Sequence, residues 1–503
     1  MQARTNLYKF YEKIPGSLIW LTLILSVVLS FIWPIWVIFF IIAFDFYWLL
    51  RVLYFIFYAS MSYFKYKETV KTNWLPKVQE LSDWRRIKHL IYLPTYGESL
   101  EVLETTFGSL LNSKYPKDNM IVILGGEGRV EKDFLPKAEA IKKKFGDKFL
   151  KILTTVHPDG LADEIKGKGA NANWMGHRSQ EFVDQQKYNY DDLIVSYFDS
   201  DTCVHPEYFA HLTYRYLTHP NPTRVSYQPA VNYNNNIWDA PAAMRVTAFG
   251  TIFWLLMDLM RPERLYTFSS HSMSFRALVD VGFWQKDIVT DDSRIFLQCF
   301  FRYDGDYAVE PMYVPVSMDT VMDKNYWQGF KNLYKQQRRW AWGVEHFPYM
   351  MEKFRGNKKI PFGKKLKYTW NLTEGMYSWA TAPLLIFILG RLPLWVAGRS
   401  DSSSSVIVQN APYVLEFLMM AAMVGIFFSA LISLFILPPR PKDQPKWKYL
   451  IMFFQWALLP VTLILFGSIP ATEAQTRLML GKKYHLGFFV TPKDRKSTDQ
   501  LTN

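Results

Sequence analysis

The stretch LIVSYFDSD, residues 193–201, decides the fold, because it joins a buried strand to a pair of carboxylates. Its first six residues form a short run, largely apolar, which is typical of a buried strand. Asp199 and Asp201 follow directly, and Pro206 opens a predicted helix. Two carboxylates at a strand end are able to hold Mg²⁺ or Mn²⁺ against a diphosphate. Because an isolated Asp-x-Asp triplet also occurs in surface turns and helix caps, the prediction depends on the preceding strand.

The same pattern recurs on the N-terminal side of this stretch. Apolar runs at 89–94, 120–124 and 149–155 alternate with helical patterns at 99–112 and 130–145. This alternation predicts a mostly parallel sheet with crossover helices, the α/β architecture of nucleotide-binding domains. In such sheets ligands bind beyond the carboxyl ends of the strands, where the aspartate pair stands.

Composition and charge indicate a membrane protein. Of the 503 residues, 50% are hydrophobic and 17% aromatic, and the apolar residues are concentrated at the two ends. The net charge of +13 suits a nucleic acid, an anionic membrane surface or a phosphorylated substrate. The long apolar segments favour the lipid bilayer, and we expect no nucleic acid partner. Cys203 and Cys299 lack the spacing of a disulfide framework or a zinc site.

The N-terminal apolar segment, residues 17–61, is about twice the length needed to cross a bilayer of about 30 Å. Pro34 divides it and predicts helices at 17–33 and 35–60. The basic residues that follow place that side, and the N-terminus with it, in the cytoplasm. Asp45 and Arg51 lie inside the second helix. Either they are functional, or Arg51 snorkels to the interface and Asp45 is paired within the bundle.

Three further apolar segments lie near the C-terminus, at 374–397, 412–437 and 448–468. The polar loop at 398–411 suits the outside, whereas the 438–448 loop and the tail from Lys482 are both basic. A complete last crossing would put one of these two basic segments outside. The last segment contains Pro460, so it is either a true crossing or a broken, re-entrant one.

Two other stretches are predicted not to span the membrane. Residues 241–260 are apolar but contain Arg245 and Asp258. A crossing there would separate the two acidic motifs of the domain, so we expect a helix packed in the domain or at the interface. Residues 326–341 carry apolar and basic side chains on different helix faces, which favours an interfacial helix over a core-facing one.

A second acidic motif, Thr290-Asp291-Asp292, follows the sheet residues. Its carboxylates are able to take a proton from an acceptor hydroxyl as general base, or to cap the helix that follows. Both roles are compatible, with one carboxylate capping and the other catalysing.

A third motif places Gln336, Arg339 and Trp340 at i, i+3 and i+4, on one helix face. Arginine suits a diphosphate, and tryptophan suits the face of a sugar ring. A solvated basic helix with an interfacial tryptophan has the same pattern.

In this order the three motifs resemble those of the processive family-2 glycosyltransferases, the cellulose, chitin and hyaluronan synthases. Further segments are similar to that family: PTYGE at 94–98, KGANAN at 168–173 and FSSHSMSFR at 268–276. The resemblance covers about 85–345. FVTPK at 489–493 also resembles a cytoplasmic motif of plant-type mannan synthases, which implies an inside C-terminus and a broken last crossing.

The resemblance implies an α/β fold, with a GT-A-type nucleotide-sugar domain inserted between N- and C-terminal transmembrane helices. The implied regions are a transmembrane hairpin at 1–64, a cytoplasmic glycosyltransferase domain with interfacial helices at 65–350, a C-terminal transmembrane region at 351–480 and a basic cytoplasmic tail at 481–503. The protein is then integral to the plasma or inner membrane.

The resemblance also implies the site residues. The catalytic base is Asp292, with Asp291 beside it, and Asp201, aided by Asp199, holds Mg²⁺ or Mn²⁺. The donor is a nucleotide sugar, expected to be UDP-linked, and it is bound by Pro94, Thr95, Tyr96, Glu98, Glu127, Lys168, Asn171 and Ser200. The diphosphate and the acceptor are bound by Ser270, His271, Gln336, Arg339 and Trp340.

Two products agree with these motifs. One is a growing polysaccharide, which is extended with inversion at the anomeric carbon, with or without coupled export across the membrane. A second copy of the chain or an accessory export subunit is then a candidate partner. The other is a membrane lipid that receives a single sugar. A scaffold with an inactive transferase domain is a third interpretation, which the intact motif set disfavours.

Overall fold

The computed structural model describes residues 5–491, and its centre is an eight-stranded mixed sheet. The strands are β1 Lys88–Pro94, β2 Met120–Glu127, β3 Lys151–His157, β4 Leu193–Tyr197, β5 Cys203–Val204, β6 Val225–Asn232, β7 Ser272–Ser274 and β8 Ala308–Ser317. Their spatial order is β3-β2-β1-β4-β7-β6-β8-β5.

The helices fall into three groups along the chain. Those before the sheet are α1 Asn6–Ile32, α2 Pro34–Lys71 and α3 Trp74–Gln79. Those within the sheet domain are α4 Leu100–Leu111, α5 Glu131–Phe145, α6 Lys168–Gln185, α7 Tyr208–Thr218, α8 Ala242–Leu259, α9 Phe275–Asp280, α10 Asp291–Arg302, α11 Tyr326–Ala341 and α12 His346–Gly356. Those after it are α13 Phe362–Phe387, α14 Leu392–Ala397, α15 Val406–Ile436, α16 Lys448–Phe454, α17 Leu459–Leu463 and α18 Ile469–Leu480.

The parallel half of the sheet confirms the apolar runs. Strand β1 pairs in parallel with β2 and β4, and β3 continues the sheet beyond β2. Nearly every residue of β1, β2 and β4 is buried. Helices cover such a sheet on both faces, and its strands are therefore continuously apolar.

Strand β7 is a feature that periodicity did not predict, because it has only three residues. It lies antiparallel between β4 and β6, with Ser196 opposite Ser272. The backbone N–H of Tyr197 also donates to the His271 carbonyl at 2.9 Å. The segment before β7 is thereby brought beside the end of β4, next to the aspartate pair.

Helix α8 is long and apolar enough to cross a membrane. It nevertheless connects β6 to β7, which are hydrogen-bonded neighbours in the sheet. A single crossing would put those two strands on opposite sides of the membrane. The prediction of a helix packed in the domain is confirmed, since α8 contacts β6 and α2 and is buried over most of its surface.

The two N-terminal helices are longer than the predicted 17–33 and 35–60, because hydropathy does not register their polar ends. Thr5 caps α1 by accepting a hydrogen bond from the Tyr8 N–H at 3.1 Å. Pro34 begins α2, as its fixed φ favours. Within α2, Arg51 lies 3.4 Å from Glu374 of α13, so its charge is paired.

Within residues 5–491, five helices are long and apolar enough to span a membrane, or six if one bent pair counts as a span. The bent pair is Phe362–Phe387 with Leu389–Ala397, at 46°. From the sequence, a break is expected in the segment 448–468 and not in this pair. That segment belongs to Lys448–Leu480, which runs on as α16, α17 and α18 with one 3₁₀ turn and one π turn between them.

The segment Lys448–Leu480 lies along the sheet domain at both ends. Near its start, Gln455 accepts from Arg245 of α8 at 2.7 Å. Near its end, Glu473 of α18 accepts from Tyr334 and Arg338 of α11, each at 2.6 Å. A helix that passed completely through a bilayer would not contact one domain at both ends, so these contacts support the prediction of an incomplete last crossing.

Candidate active site

A cleft of about 1150 Å³ lies beyond the carboxyl ends of β1, β2 and β4. This is the edge at which α/β sheets bind ligands. The structure brings together here the predicted residues Pro94, Thr95, Tyr96, Glu98, Glu127, Lys168, Asn171, Asp199, Ser200, Asp292, Gln336, Arg339 and Trp340. They come from segments more than 240 positions apart in the chain.

Four predicted residues lie behind the cleft wall rather than in it. Asp201, Ser270, His271 and Asp291 are each at most 2% exposed. The prediction that Ser270 and His271 contact the acceptor is therefore corrected: from this segment Phe268 and Ser269 line the cleft.

The buried pair Ser270 and His271 has a structural role instead. Ser270 has a φ of +64°, a conformation that glycine adopts without strain. Burial lowers the pKa of His271 to about 4, although the Asp292 carboxylate opposes this change. The neutral imidazole bonds through Nδ1 to the Phe268 carbonyl oxygen at 2.9 Å and so holds the turn that presents Phe268.

Lys168 joins the two acidic motifs on one wall of the cleft. Its Nζ lies 2.6 Å from Asp199 Oδ1 and 3.0 Å from Asp292 Oδ1. Burial alone would lower the pKa of Lys168, but the carboxylates of Asp199, Asp292 and Asp291 outweigh it and raise the pKa. Lys168 is also the first residue of α6, so its charge adds to the positive end of that helix.

The two aspartates of the second motif have different surroundings. Asp291 is buried, and its Oδ2 accepts a hydrogen bond from the Tyr197 hydroxyl at 2.5 Å. Burial and the neighbouring Asp292 charge raise the pKa of Asp291 to about 7. Asp292 faces the cleft, with its side chain 24% exposed. Of the pair, only Asp292 is placed to meet a substrate.

A glycine allows this close packing. A Cβ at Gly169 would lie 2.9 Å from the Asp291 Cβ, so the start of α6 approaches the motif only without a side chain there. The helix N-terminus and Lys168 are thereby set against the acidic motif. The segment 168–173 therefore packs closely against the acidic motif at 290–292 only because residue 169 is glycine.

The first aspartate pair is also divided between cleft and core. Asp199 lines the cleft, and its Oδ2 accepts from the Ser269 hydroxyl at 2.9 Å. Asp201 is fully buried, and its Oδ2 accepts from the Asp319 N–H at 2.8 Å. The sequence expected Asp201 to be the main metal ligand, whereas the structure gives Asp199 the direct access.

The donor set fits a divalent cation bound together with a diphosphate. Within residues 5–491, no three His, Cys, Asp or Glu side chains are grouped closely enough to hold a metal by themselves. Mg²⁺, however, is usually bound through one or two carboxylates, waters and substrate phosphates. Asp199 supplies such a carboxylate at the cleft surface, with Asp201 behind it.

The far end of the cleft carries a stacked charged pair. Arg129 donates to Glu127, and its guanidinium lies 4.4 Å from the centre of the Tyr96 ring. The turn that presents Tyr96 is held by Glu98, whose Oε2 accepts from the Tyr96 N–H at 2.6 Å, and by Gly97 at φ +76°. A flat ring beside a paired Arg and Glu offers stacking, donors and acceptors to a nucleobase.

The opposite end is aromatic. Trp340 packs against Tyr233 and Phe268, with ring centroids 5.6 and 6.0 Å apart. Phe268 in turn meets Trp254 of α8 at 6.0 Å, and Trp254 is 46% exposed. Aromatic faces of this kind bind the apolar faces of sugar rings.

The C-terminal segment closes one side of the cleft. Phe488, Phe489, Val490 and Thr491 line it, while Pro492 and Lys493 of the predicted FVTPK motif lie outside the described residues. The Arg339 guanidinium lies 4.9 Å from the Phe488 ring centre. The described chain therefore ends against the sheet domain, beside the cleft.

Glu345 is a residue that the motifs did not reveal. It follows α11, and its Oε1 accepts from the N–H of Thr290 at 3.1 Å and from the Thr290 hydroxyl at 2.5 Å. Its Oε2 accepts from the Trp342 indole at 2.9 Å. Glu345 thus ties the start of α10, which carries Asp292, to the end of the helix that carries Arg339 and Trp340. Its position five residues after Trp340 was the only available signal.

Comparison with known proteins identifies the family. The family model described as glycosyl transferase family group 2 matches residues 194–469, which is more than half of the chain. The chain therefore belongs to glycosyl transferase family group 2 and is a glycosyltransferase. Its sheet domain is GT-A-like, with several apolar helices before and after it.

Similar solved structures include two glycosyltransferases. One is the mannosyltransferase PcManGT from Pyrobaculum calidifontis in complex with GDP-Man and Mn²⁺, at 13% identity and TM-score 0.42, covering 78% of this chain and 99% of that chain. Another is S. aureus TarS in complex with UDP-GlcNAc, at 9% identity and TM-score 0.36, covering 71% and 98%. No curated protein sequence matches the chain.

Proposed function

We propose that this glycosyltransferase moves a sugar, with inversion, from a nucleotide-sugar donor to the end of a growing polysaccharide at the surface of a membrane. The observation that carries the proposal is the position of Lys168 between Asp199 and Asp292. It sets the predicted metal-binding carboxylate and the predicted base on one wall of one cleft.

The donor is proposed to lie between the Tyr96 end and Arg339. The nucleobase stacks near Tyr96 and meets Glu127, while the diphosphate lies near Lys168 and the N-terminus of α6. Positive charge and free N–H groups at a helix start favour a diphosphate. A Mg²⁺ or Mn²⁺ ion held by Asp199, with Asp201 behind it, would supply charge neutralisation for the leaving group.

Asp292 is proposed to take the proton from the acceptor hydroxyl as that oxygen attacks the anomeric carbon. Its exposed carboxylate faces the cleft, and a general base must lie within hydrogen-bond reach of the proton that it accepts. Asp291 is buried and bonded to Tyr197, so it supports the motif without touching the substrate.

The acceptor is proposed to lie on the aromatic run from Trp340 through Phe268 to Trp254. This run extends from the cleft toward α8, whose neighbours include α2 and the segment Lys448–Leu480. Several ring faces in succession suit a chain of sugars better than a single sugar. The same end of the cleft also admits a lipid acceptor, which is the alternative.

The membrane arrangement is proposed to have four crossings. α1, α2, the bent pair from Phe362 to Ala397 and α15 cross, whereas Lys448–Leu480 stays against the sheet domain. Both basic segments, 438–448 and the tail, then lie on the catalytic side, which we propose to be cytoplasmic. The conflict between these basic segments and a complete last crossing is thereby removed.

A donor panel tests the function. The purified full chain is incubated with UDP-Glc, UDP-GlcNAc, UDP-GlcA and GDP-Man in the presence of Mn²⁺, and nucleotide release and product size are both measured. We expect one UDP-sugar to give polymer. A single sugar on a lipid would support the alternative, and no transfer from any donor would contradict the proposal.

A matched pair of variants tests the base. Asp292→Asn should lower transfer about 10³-fold, within the range of general base catalysis, while donor binding is retained. Asp291→Asn, one position away, is the control and should keep most of the activity. Near-normal turnover by Asp292→Asn would show that another residue is the base.

A further inference from the structure

A strongly basic segment joins the sheet domain to α13. Residues 353–367 contain seven basic side chains and no Asp or Glu: Lys353, Arg355, Lys358, Lys359, Lys364, Lys365 and Lys367. All of them except Lys365 are exposed. None is among the residues that line the catalytic cleft. These basic side chains are therefore not placed to contact the substrates in the cleft.

An exposed apolar stripe begins within the same segment. Phe362, Leu366 and Trp370 are spaced four residues apart on α13 and are 77%, 58% and 66% exposed. Lys367, next to Leu366 in the chain, lies on the adjoining face of the same turn, whereas Lys364 lies on the opposite face, where it contacts Gly305. Aromatic and aliphatic side chains beside lysines are typical of a helix that enters a bilayer at the level of the headgroups.

The segment is held in a defined position by the sheet domain. Asp304 accepts from the Asn357 amide and pairs with Lys359, both at 2.8 Å. Lys364 donates to the carbonyl of Gly305 at 3.2 Å. Asp304 and Gly305 form the turn directly after α10, the helix that begins at the predicted base. The basic charges are thus fixed relative to the catalytic helix.

The N-terminus of the chain adds to the same surface. Helix α1 packs against α12, and its exposed Lys9 and Lys13 lie in its first turns. Basic residues from two separate parts of the chain therefore surround the places where α1 and α13 begin. A free soluble anion would not explain the apolar stripe of α13, which continues directly from the charges.

We propose that residues 353–367 bind the headgroups of anionic phospholipids in the leaflet on the catalytic side. Clusters of four to eight Lys and Arg residues next to a membrane helix attract acidic lipids, and each is worth about 1 kcal/mol near the surface. The bound lipids hold the turn after α10 against the membrane. This inference rests on the membrane embedding proposed above and on no assumption about the sugar.

Lipid retention by the full chain tests the inference. The protein is reconstituted in vesicles of equal parts phosphatidylcholine and phosphatidylglycerol, extracted in mild detergent, and its bound lipids are counted by native mass spectrometry. We expect phosphatidylglycerol to be enriched. The triple variant R355Q/K358Q/K367Q should retain about one-fifth of the phosphatidylglycerol or less, since the loss of even one basic residue weakens binding about fivefold.

The matched control removes three exposed charges from α5, on the sheet domain, as K132Q/K142Q/K143Q. It should retain phosphatidylglycerol as the unmodified chain does, and added glycerol phosphate should not displace the lipid. Equal retention of the two lipids by the unmodified chain, equal loss in both variants, or displacement by glycerol phosphate would overturn the inference. Thermal unfolding in phosphatidylcholine confirms that both variants are folded. Because the readout needs no sugar transfer, its failure is distinct from failure of the proposed function.

Discussion

The Lys168 ammonium lies 3.0 Å from a carboxylate oxygen of Asp292, although the two residues are 124 positions apart. The same ammonium lies 2.6 Å from Asp199. One partly buried positive charge is therefore shared by the carboxylate at the end of β4 and the carboxylate at the start of α10. Neither motif alone accounts for the arrangement of the cleft.

Removal of the Lys168 charge should impair both ends of the reaction. Lys168→Met leaves Asp199 and Asp292 without their shared cation, and it takes positive charge away from the diphosphate. We expect transfer to fall about 100-fold or more, as is typical when a stabilising charge is removed from an active site. Steady-state kinetics with the donor found by the panel measures the loss. Lys168→Arg, which keeps the charge, should recover part of the activity; equal loss in both variants would argue against a role for the charge.

Asp291 should make stability depend on pH. Its pKa is about 7 in the folded chain, above the ordinary value of 3.8. Between these values the folded state binds more protons than the unfolded state, so its stability falls as pH rises from about 4 to 7. Asp291→Asn removes this loss. The thermal midpoint of the variant minus that of the unmodified chain should therefore increase as pH rises from about 4 to 7. Scanning calorimetry in detergent measures both midpoints. A constant difference would mean that Asp291 is ionised throughout.

Glu345 should act by positioning α10. Glu345→Gln weakens the acceptor for the Val289 and Thr290 N–H groups, and Glu345→Ala removes it. Leaving buried donors unsatisfied costs about 1–3 kcal/mol, so Glu345→Ala should lower the midpoint of unfolding and the kcat. Because Glu345 does not line the cleft, the KM for the donor should change little. Rescue of kcat by the Gln variant fits a positioning role, and a change in KM alone would not.

The Glu127 and Arg129 pair should select the nucleobase. Arg129→Ala frees the face of Tyr96 and removes a donor beside Glu127. We expect about a tenfold change in the KM for the preferred donor and a smaller change in kcat, because the pair lies far from the reacting atoms. Competition by UDP and GDP, each as product inhibitor, measures the preference. Identical inhibition constants in the variant and the unmodified chain would show that the nucleobase binds elsewhere.

Local pattern predicted four of the eight strands, and most of the predicted site residues line the cleft. Strands β1 to β4 are long or continuously apolar, and β1, β2 and β4 each end near a motif residue that lines the cleft. Strand β7, with three residues, carries no such pattern. Its pairing with β4 depends on long-range hydrogen bonds, and that pairing decides that Phe268 and Ser269 reach the cleft while Ser270 and His271 do not.

The number of membrane crossings stays a prediction, whereas the strands of the sheet are observed. Hydropathy measures how apolar a segment is, but it does not register where the ends of that segment lie. The contacts of Gln455 and Glu473 with the sheet domain supply this information for Lys448–Leu480. The bend near Leu389 coincides with Gly390 and Pro393, residue types that interrupt helices.

The sequence by itself determined the family and the chemical types in the site, because strand periodicity and motif spacing are local properties of the chain. Only the tertiary structure decided which member of each acidic pair faces the substrate. The side chains of Asp199 and Asp292 are 25% and 24% exposed, while Asp201 and Asp291 are buried. The difference follows from hydrogen bonds to Asp319 and Tyr197 across the fold. Access and burial are set by residues distant in sequence, and no local pattern contains them.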